Sequence, residues 1–180
     1  MENSSKTYSK EEAFKVLELV KESIKHTDNK SAILMGLITL LIGLTTRIFE
    51  VVHIISVWNN NVLCAFLLLL FILYCIAVFL SIIFASLVFV SRYKAEKYIK
   101  QKKLKGNSLL FFGDIDAMGY EEFKRKSSSL TDEDFINDIN EQIIINSAIS
   151  KKKAFYFNFA LLFSFILLVL TFLLLVLISV

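Results

Sequence analysis

Three long apolar runs divide the chain. They cover residues 32–55, 62–90 and 154–180, and the last two contain no charged residue. A helix needs about 20 apolar residues to cross the hydrocarbon core of a bilayer, so each run is long enough to span it. The chain contains no proline and only five glycines, which favours long unbroken helices over a turn-rich sheet. The pattern therefore predicts three transmembrane helices, of which the first two form a hairpin over residues 32–90.

The polar leader, residues 1–31, carries helical signals of its own. Ser9 and Glu12 have the spacing of a capping box, which predicts that a helix begins there. The apolar residues that follow recur at helical spacing and make this helix amphipathic: Ala13, Phe14, Val16, Leu17, Val20 and Ile24. We expect this stripe to pack on protein rather than on a membrane surface, because the polar face carries glutamates as well as lysines.

The segment between the second and third runs, residues 91–153, is predicted to be a helical insert. Thr131 opens the sequence TDED, a second helix-start pattern with acidic residues in the first turn. An apolar stripe follows it, made of Phe135, Ile136, Ile139, Ile143 and either Ala148 or Ile149. We expect this helix to continue through Lys151–Lys153 into the third span, residues 154–180. The predicted fold class is an all-α membrane protein.

Basic residues are concentrated on one side of the predicted spans. The link at residues 56–61 has none, whereas residues 92–106 hold seven basic residues and one acidic residue. The positive-inside rule therefore places the N-terminus and the helical insert in the cytoplasm, and residues 59–61 and the C-terminus outside. Residues 107–150 have the opposite balance, nine acidic against three basic residues. We expect the two blocks to pair within one chain or between chains.

One face of the first span consists of small or polar residues at steps of three and four. Its members are Ala32, Gly36, Thr39, Gly43, Thr46, Glu50 and His53. Small residues let helix backbones approach closely in lipid. This face is therefore either an oligomer seam that can rearrange into a pore lining, or a surface that packs on the other two spans of the same chain. The second span offers a candidate partner stripe of Tyr74, Ala77, Ser81 and Ala85.

Arg47, Glu50 and His53 are the only acidic, basic or histidine residues within a predicted span. Charge inside lipid is costly and often functional. Arg47 lies 15 residues beyond Ala32, about 22 Å along a helix, in the outer third of the span, where its side chain can reach the interface. The three residues therefore serve either as interfacial anchors or as a charge ring at a pore mouth.

The sequence gives no sign of catalysis. Cys64 and Cys75 are 11 residues apart in an apolar run and are interpreted as packing residues. His26 and His53 fall on opposite sides of the predicted membrane, and no catalytic triad, P-loop, dinucleotide fingerprint or metal-ligand spacing occurs. We expect no enzyme activity, cofactor, metal or nucleic-acid partner.

Short motifs follow one another in a distinctive order along most of the chain. Asp28-x-Lys30-Ser31-Ala32 opens the first span, and Phe111-Phe112-Gly113-Asp114-Ile115 lies in the insert. Glu122-Phe123, Leu130-Thr131, Asp138 and Gln142-Ile143 follow, and a lysine cluster leads into the final run. In order and spacing these motifs resemble the PycTM family, the transmembrane effectors of the Pycsar anti-phage systems.

The resemblance implies a multi-pass effector in the bacterial inner membrane. A partner cyclase would make a cyclic pyrimidine nucleotide, cCMP or cUMP, on infection. The effector would then oligomerise or rearrange and impair the membrane, and the cell would stop before phage mature (abortive infection). Expected partners are the lipid bilayer, the nucleotide and further copies of the chain. The alternative is a non-perforating membrane anchor or scaffold whose cytoplasmic helical bundle docks a signalling partner.

A nucleotide site would lie on the cytoplasmic side. A phosphate requires Arg or Lys, and a base requires an aromatic face. The candidate ligand-binding residues are Arg92, Lys94, Lys97, Tyr98, Phe111 and Phe112. The alternative is that the basic residues only set the orientation in the membrane, and that Phe111 and Phe112 fill the core of the helical bundle.

The stretch SLLFFGDI, residues 108–115, joins the basic block to the acidic block. We expect Gly113 to permit a turn with positive φ and Asp114 to cap the helix that follows. We interpret the stretch as a latch. Together with Asp28 and Lys30, it would pass strain from the cytoplasmic part to the spans if a ligand reshapes that part.

Overall fold

The computed structural model of the protein describes residues 9–55, 61–90 and 108–179. Within these ranges the backbone is helical apart from short connections, and no strand occurs. The described helices are α1 (Lys10–Ile55), α2 (Asn61–Val90), α3 (Phe112–Met118), α4 (Tyr120–Ser128) and α5 (Asp132–Ser179). Helices α1, α2 and α5 are each long and apolar enough to cross a membrane. The described part of the protein is thus all-α, and its three long apolar helices indicate a multi-pass membrane protein.

Both predicted helix starts are confirmed by their capping bonds. At the start of α1, the Glu12 N–H donates to Ser9 Oγ and the Ser9 N–H donates to Glu12 Oε2, each at 3.1 Å. At the start of α5, the Asp134 N–H donates to Thr131 Oγ1 at 3.1 Å. These side chains bond backbone groups that a first helical turn otherwise leaves without partners.

The two longest helices pass through the predicted segment boundaries without a break. Helix α1 is continuous across residues 31 and 32, where the leader was expected to give way to the first span. Helix α5 is continuous through Lys151–Lys153, as predicted. The described residues fall into two compact units, the first made of residues 9–26 and 108–152 and the second of residues 27–55, 61–90 and 153–179.

The core of the first unit lies between α1 and α5. Ala13 and Leu17 are buried with Ile139, and Leu110, Phe135 and Ile143 pack against them. A second cluster joins Ile24 to Ile145 and Ile149. The apolar stripe of the leader is thus buried along Ala13, Leu17 and Ile24, while Phe14 and Val16 are exposed.

In the second unit, α1, α2 and α5 share one apolar core. The buried members are Leu34, Ile38 and Leu41 from α1, Leu67, Leu70, Tyr74, Ala77 and Ala85 from α2, and Ala160, Leu167 and Leu174 from α5. Phe84 of α2 stacks on Phe159 and Phe163 of α5, with ring centroids 5.2 and 5.5 Å apart. The outward faces of these helices carry large exposed apolar side chains, as lipid-facing surfaces do.

Candidate functional site

In the first unit, the stretch 108–111 is held by side-chain oxygens that accept its backbone N–H groups. The Ser108 N–H donates to Asp114 Oδ2 and the Leu109 N–H donates to Asp138 Oδ2, each at 2.8 Å. The Leu110 N–H donates to Ser108 Oγ at 3.0 Å. Three consecutive amides are thus satisfied, and because Asp138 belongs to α5, one bond ties the stretch to that helix.

The structure corrects three expectations about this stretch. Gly113 lies inside α3 rather than in a turn of positive φ, a conformation that Gly119 adopts instead, at φ 73°. A Cβ at Gly113 would lie 2.7 Å from Cε1 of Phe111, so a side chain there would require the Phe111 ring to shift. Asp114 does not cap α3, whose first turn has no side-chain cap, but reaches back to Ser108.

The third correction concerns Phe111. Leu110, rather than Phe111, packs against the cluster of Ala13, Leu17 and Ile139. Phe111 is half-buried, with its ring over Gly113. The side chain of Phe112 lies outside the described residues, although its backbone begins α3.

Most of the predicted nucleotide site lies outside the described residues. This applies to Arg92, Lys94, Lys97 and Tyr98, so Phe111 is the one candidate whose side chain is placed. Of the latch residues on α1, Lys30 is exposed and Asp28 is half-buried.

In the second unit, the small-residue face of α1 points away from the shared core. Ala32, Gly36, Thr39 and Gly43 are all exposed. A Cβ added at Gly36 or Gly43 would meet no heavy atom within 4 Å. At these four positions the structure does not show the alternative, packing on α2 and α5 of the same chain. The side chains of Thr46, Glu50 and His53 lie outside the described residues.

A different face of α1 packs inward, and the predicted α2 stripe contacts it. Tyr74, Ala77, Ser81 and Ala85 are buried. The Tyr74 hydroxyl hydrogen-bonds Thr45 Oγ1 and donates to the Leu41 carbonyl at 3.3 Å. Hydroxyl bonds of this kind hold helices together in lipid, where apolar attraction between helices is weak.

An ion pair that sequence reasoning missed closes one end of the second unit. Lys153 Nζ donates to Asp28 Oδ1, and their side chains are 1% and 19% exposed. Lys153 is one of three consecutive lysines, and the sequence pattern assigns all three only to membrane orientation. The sequence feature that could have indicated this pair is the location of its two residues, because Asp28 and Lys153 each lie at the polar end of an apolar run.

Comparison with known families supports the resemblance noted from the motifs. The PycTM model, described as the Pycsar effector protein domain, matches residues 12–180. Comparisons with curated proteins and with solved structures gave no match. The matched range includes the stretch 108–115, the capped start of α5, the three candidate spans and both residues of the buried ion pair. The chain therefore belongs to the PycTM family of Pycsar effector proteins.

Proposed function

We propose that this Pycsar effector responds to cCMP or cUMP by oligomerising or rearranging its spans, impairs the inner membrane, and so causes abortive infection. The observation that carries the proposal is the match of the Pycsar effector model to residues 12–180. The three candidate membrane helices agree with an action on the bilayer itself. The protein acts in this proposal as a ligand-responsive membrane device and not as an enzyme.

The proposed orientation puts the N-terminus and residues 91–153 in the cytoplasm, and the C-terminus outside. The support is the distribution of basic residues, with seven in residues 92–106 and none in the link at 56–61. A nucleotide made inside the cell would then reach the first unit. Arg92, Lys94, Lys97 and Tyr98 remain the proposed contacts for its phosphate and base.

The proposed seam between copies is the small-residue face of α1. Elsewhere the exposed surface of the three spans is built of large side chains such as Leu40, Phe79 and Phe165. At Gly36 no side chain projects from the helix. The backbone of a second copy can therefore come close and gain van der Waals contact. The Thr39 hydroxyl donates to the carbonyl of Met35 in the same helix at 2.9 Å. It therefore has a hydrogen-bond partner in lipid whether or not two copies of the chain are associated.

Dye release from liposomes tests the function. Purified protein is reconstituted, and release is compared without nucleotide and with cCMP, cUMP or, as a purine control, cAMP. We expect release with one or both pyrimidine nucleotides and none with cAMP. No release with any nucleotide, together with a stable complex with a partner protein, would support the scaffold alternative instead.

Gly36→Leu tests the seam. A side chain at Gly36 meets open space in the single chain and Leu is the better helix former, so we expect normal insertion and folding. Between copies the added bulk separates the backbones, and we expect nucleotide-dependent dye release to fall at least ten-fold. Ala65→Leu, at an exposed small residue of α2, is the matched control and should release dye as the wild type does. A Gly36→Leu protein with wild-type release would remove the seam from the proposal.

A further inference from the structure

Lys153 is the only buried charged residue in the part of the chain that the structure describes. Its ammonium has three N–H donors, and among the described residues it bonds one acceptor, Asp28 Oδ1. One helical turn beyond Asp28, Ser31 Oγ is fully buried and has no hydrogen-bond partner among the described residues. Among the described residues, Lys153 and Ser31 therefore keep polar capacity that no hydrogen bond uses.

Such a pair is a poor source of stability. Removing two charges from water costs several kcal/mol for each ion, and their attraction repays this only when further hydrogen bonds complete the site. Apolar residues of similar size in place of a buried pair are often neutral or stabilising, whereas loss of one partner leaves a buried charge and is strongly destabilising. The pair at Asp28 and Lys153 ties α1 to α5, but the buried Lys153 ammonium gains hydration if the pair separates and water reaches it.

We propose that the Asp28–Lys153 ion pair is a charge lock that holds the three spans in their resting arrangement and opens when the spans rearrange and its charges become hydrated. The lock is placed where α1 and α5 enter the second unit, at residues 27 and 153. This inference rests on the proposed function for the trigger, the cyclic pyrimidine nucleotide, but not for the lock itself.

A set of substitutions separates a lock from an ordinary stabilising contact. Asp28→Asn and Lys153→Met each remove one charge, and Asp28→Leu with Lys153→Met removes both. Asp28→Lys with Lys153→Asp reverses the pair. Lys151→Met, at an exposed lysine two residues away on α5, is the matched control. Each protein is reconstituted in liposomes, and its thermal midpoint and its dye release are measured with and without cCMP and cUMP.

The two single substitutions and the apolar double substitution have opposite expected results. Each single change should lower the thermal midpoint by about 10 °C and cause dye release without nucleotide. The apolar double variant should melt at or above the wild-type midpoint and respond to nucleotide at least ten-fold less, because no buried charge remains to be hydrated. The reversed pair should recover regulated release, and Lys151→Met should match the wild type.

Three results would overturn the lock. One is an apolar double variant that is stable and releases dye on nucleotide as the wild type does, since the pair would then be structural only. Another is an apolar double variant that is as unstable as the single variants. The shape of the side chains at residues 28 and 153, and not their charge, would then hold the helices together. The third is that both single variants release no dye in the absence of nucleotide. If the wild-type protein releases no dye with either nucleotide, the proposed function is contradicted instead. The lock is then still tested by whether the single variants release dye without nucleotide.

Discussion

Asp138→Ala removes the carboxylate that ties the stretch 108–111 to α5. The bond to be lost runs from the Leu109 N–H to Asp138 Oδ2 at 2.8 Å. A hydrogen bond to a charged group contributes about 1.5–3 kcal/mol, and we take the lower end, about 1.5 kcal/mol, because both residues are only half-buried. Since 1.4 kcal/mol is a factor of ten in an equilibrium, we expect hydrogen exchange at the Leu109 amide to become roughly ten-fold faster.

Exchange is measured by mass spectrometry or NMR on the detergent-solubilised protein. Asn137→Ala, at the exposed neighbouring position on α5, is the control and should leave the Leu109 amide unchanged. Asp114→Ala should instead accelerate the Ser108 amide, whose bond it removes, because that acceptor lies within the stretch itself. If Leu109 exchanges at the wild-type rate in Asp138→Ala, the stretch is not held by this carboxylate, and the latch interpretation loses its structural basis.

Three smaller changes test individual elements by thermal unfolding followed with circular dichroism. Ser9→Ala removes the bond from the Glu12 N–H and should cost about 1 kcal/mol, with Ser9→Thr retaining most of it; equal stability of all three proteins would contradict the capping box. Gly119→Ala forces a side chain onto φ 73° and should cost about 1–3 kcal/mol, so a wild-type midpoint would contradict this backbone conformation. Tyr74→Phe removes the hydroxyl bond to Thr45 and should cost about 1 kcal/mol, and a gain in stability would show that the hydroxyl does not join the helices.

The helices and their starts were predictable because their signals are local. Apolar runs of more than 20 residues leave little alternative to a membrane helix when proline is absent. The Ser9 and Thr131 caps depend on neighbours three residues away, so the sequence contains the whole interaction. The continuity of α5 through Lys153 follows from the same local helical preference.

The packed face of α1 was not predictable from periodicity. Nearly every position in an apolar span is apolar, so the face that includes Leu34 and Ile38 and the face that includes Gly36 and Gly43 both have helical spacing. Tertiary contacts decide between them, and they bury the first face. A small-residue stripe shows where helices can approach, and not which helix approaches.

Two polar interactions that the sequence analysis did not predict are long-range. Asp28 and Lys153 are 125 residues apart, and Leu109 and Asp138 are 29 apart. Three consecutive lysines look alike in sequence, and only the rotation of α5 separates the buried Lys153 from the exposed Lys151. At Gly113 the sequence suggested a positive φ, whereas the structure places this residue in a helix with the Phe111 ring close to its Cα.

One-sided addition of nucleotide to oriented proteoliposomes tests whether the cytoplasmic side of the protein responds to a cyclic pyrimidine nucleotide. The orientation of each preparation is measured on a separate aliquot by protease cleavage of the lysine-rich segment at residues 92–106, and cCMP or cUMP is supplied to the uncleaved vesicles either outside or inside. We expect dye release only when the pyrimidine nucleotide is on the side that carries this segment, and no release with cAMP on either side. Release that is independent of side, that occurs equally with cAMP, or that does not occur at all would contradict it.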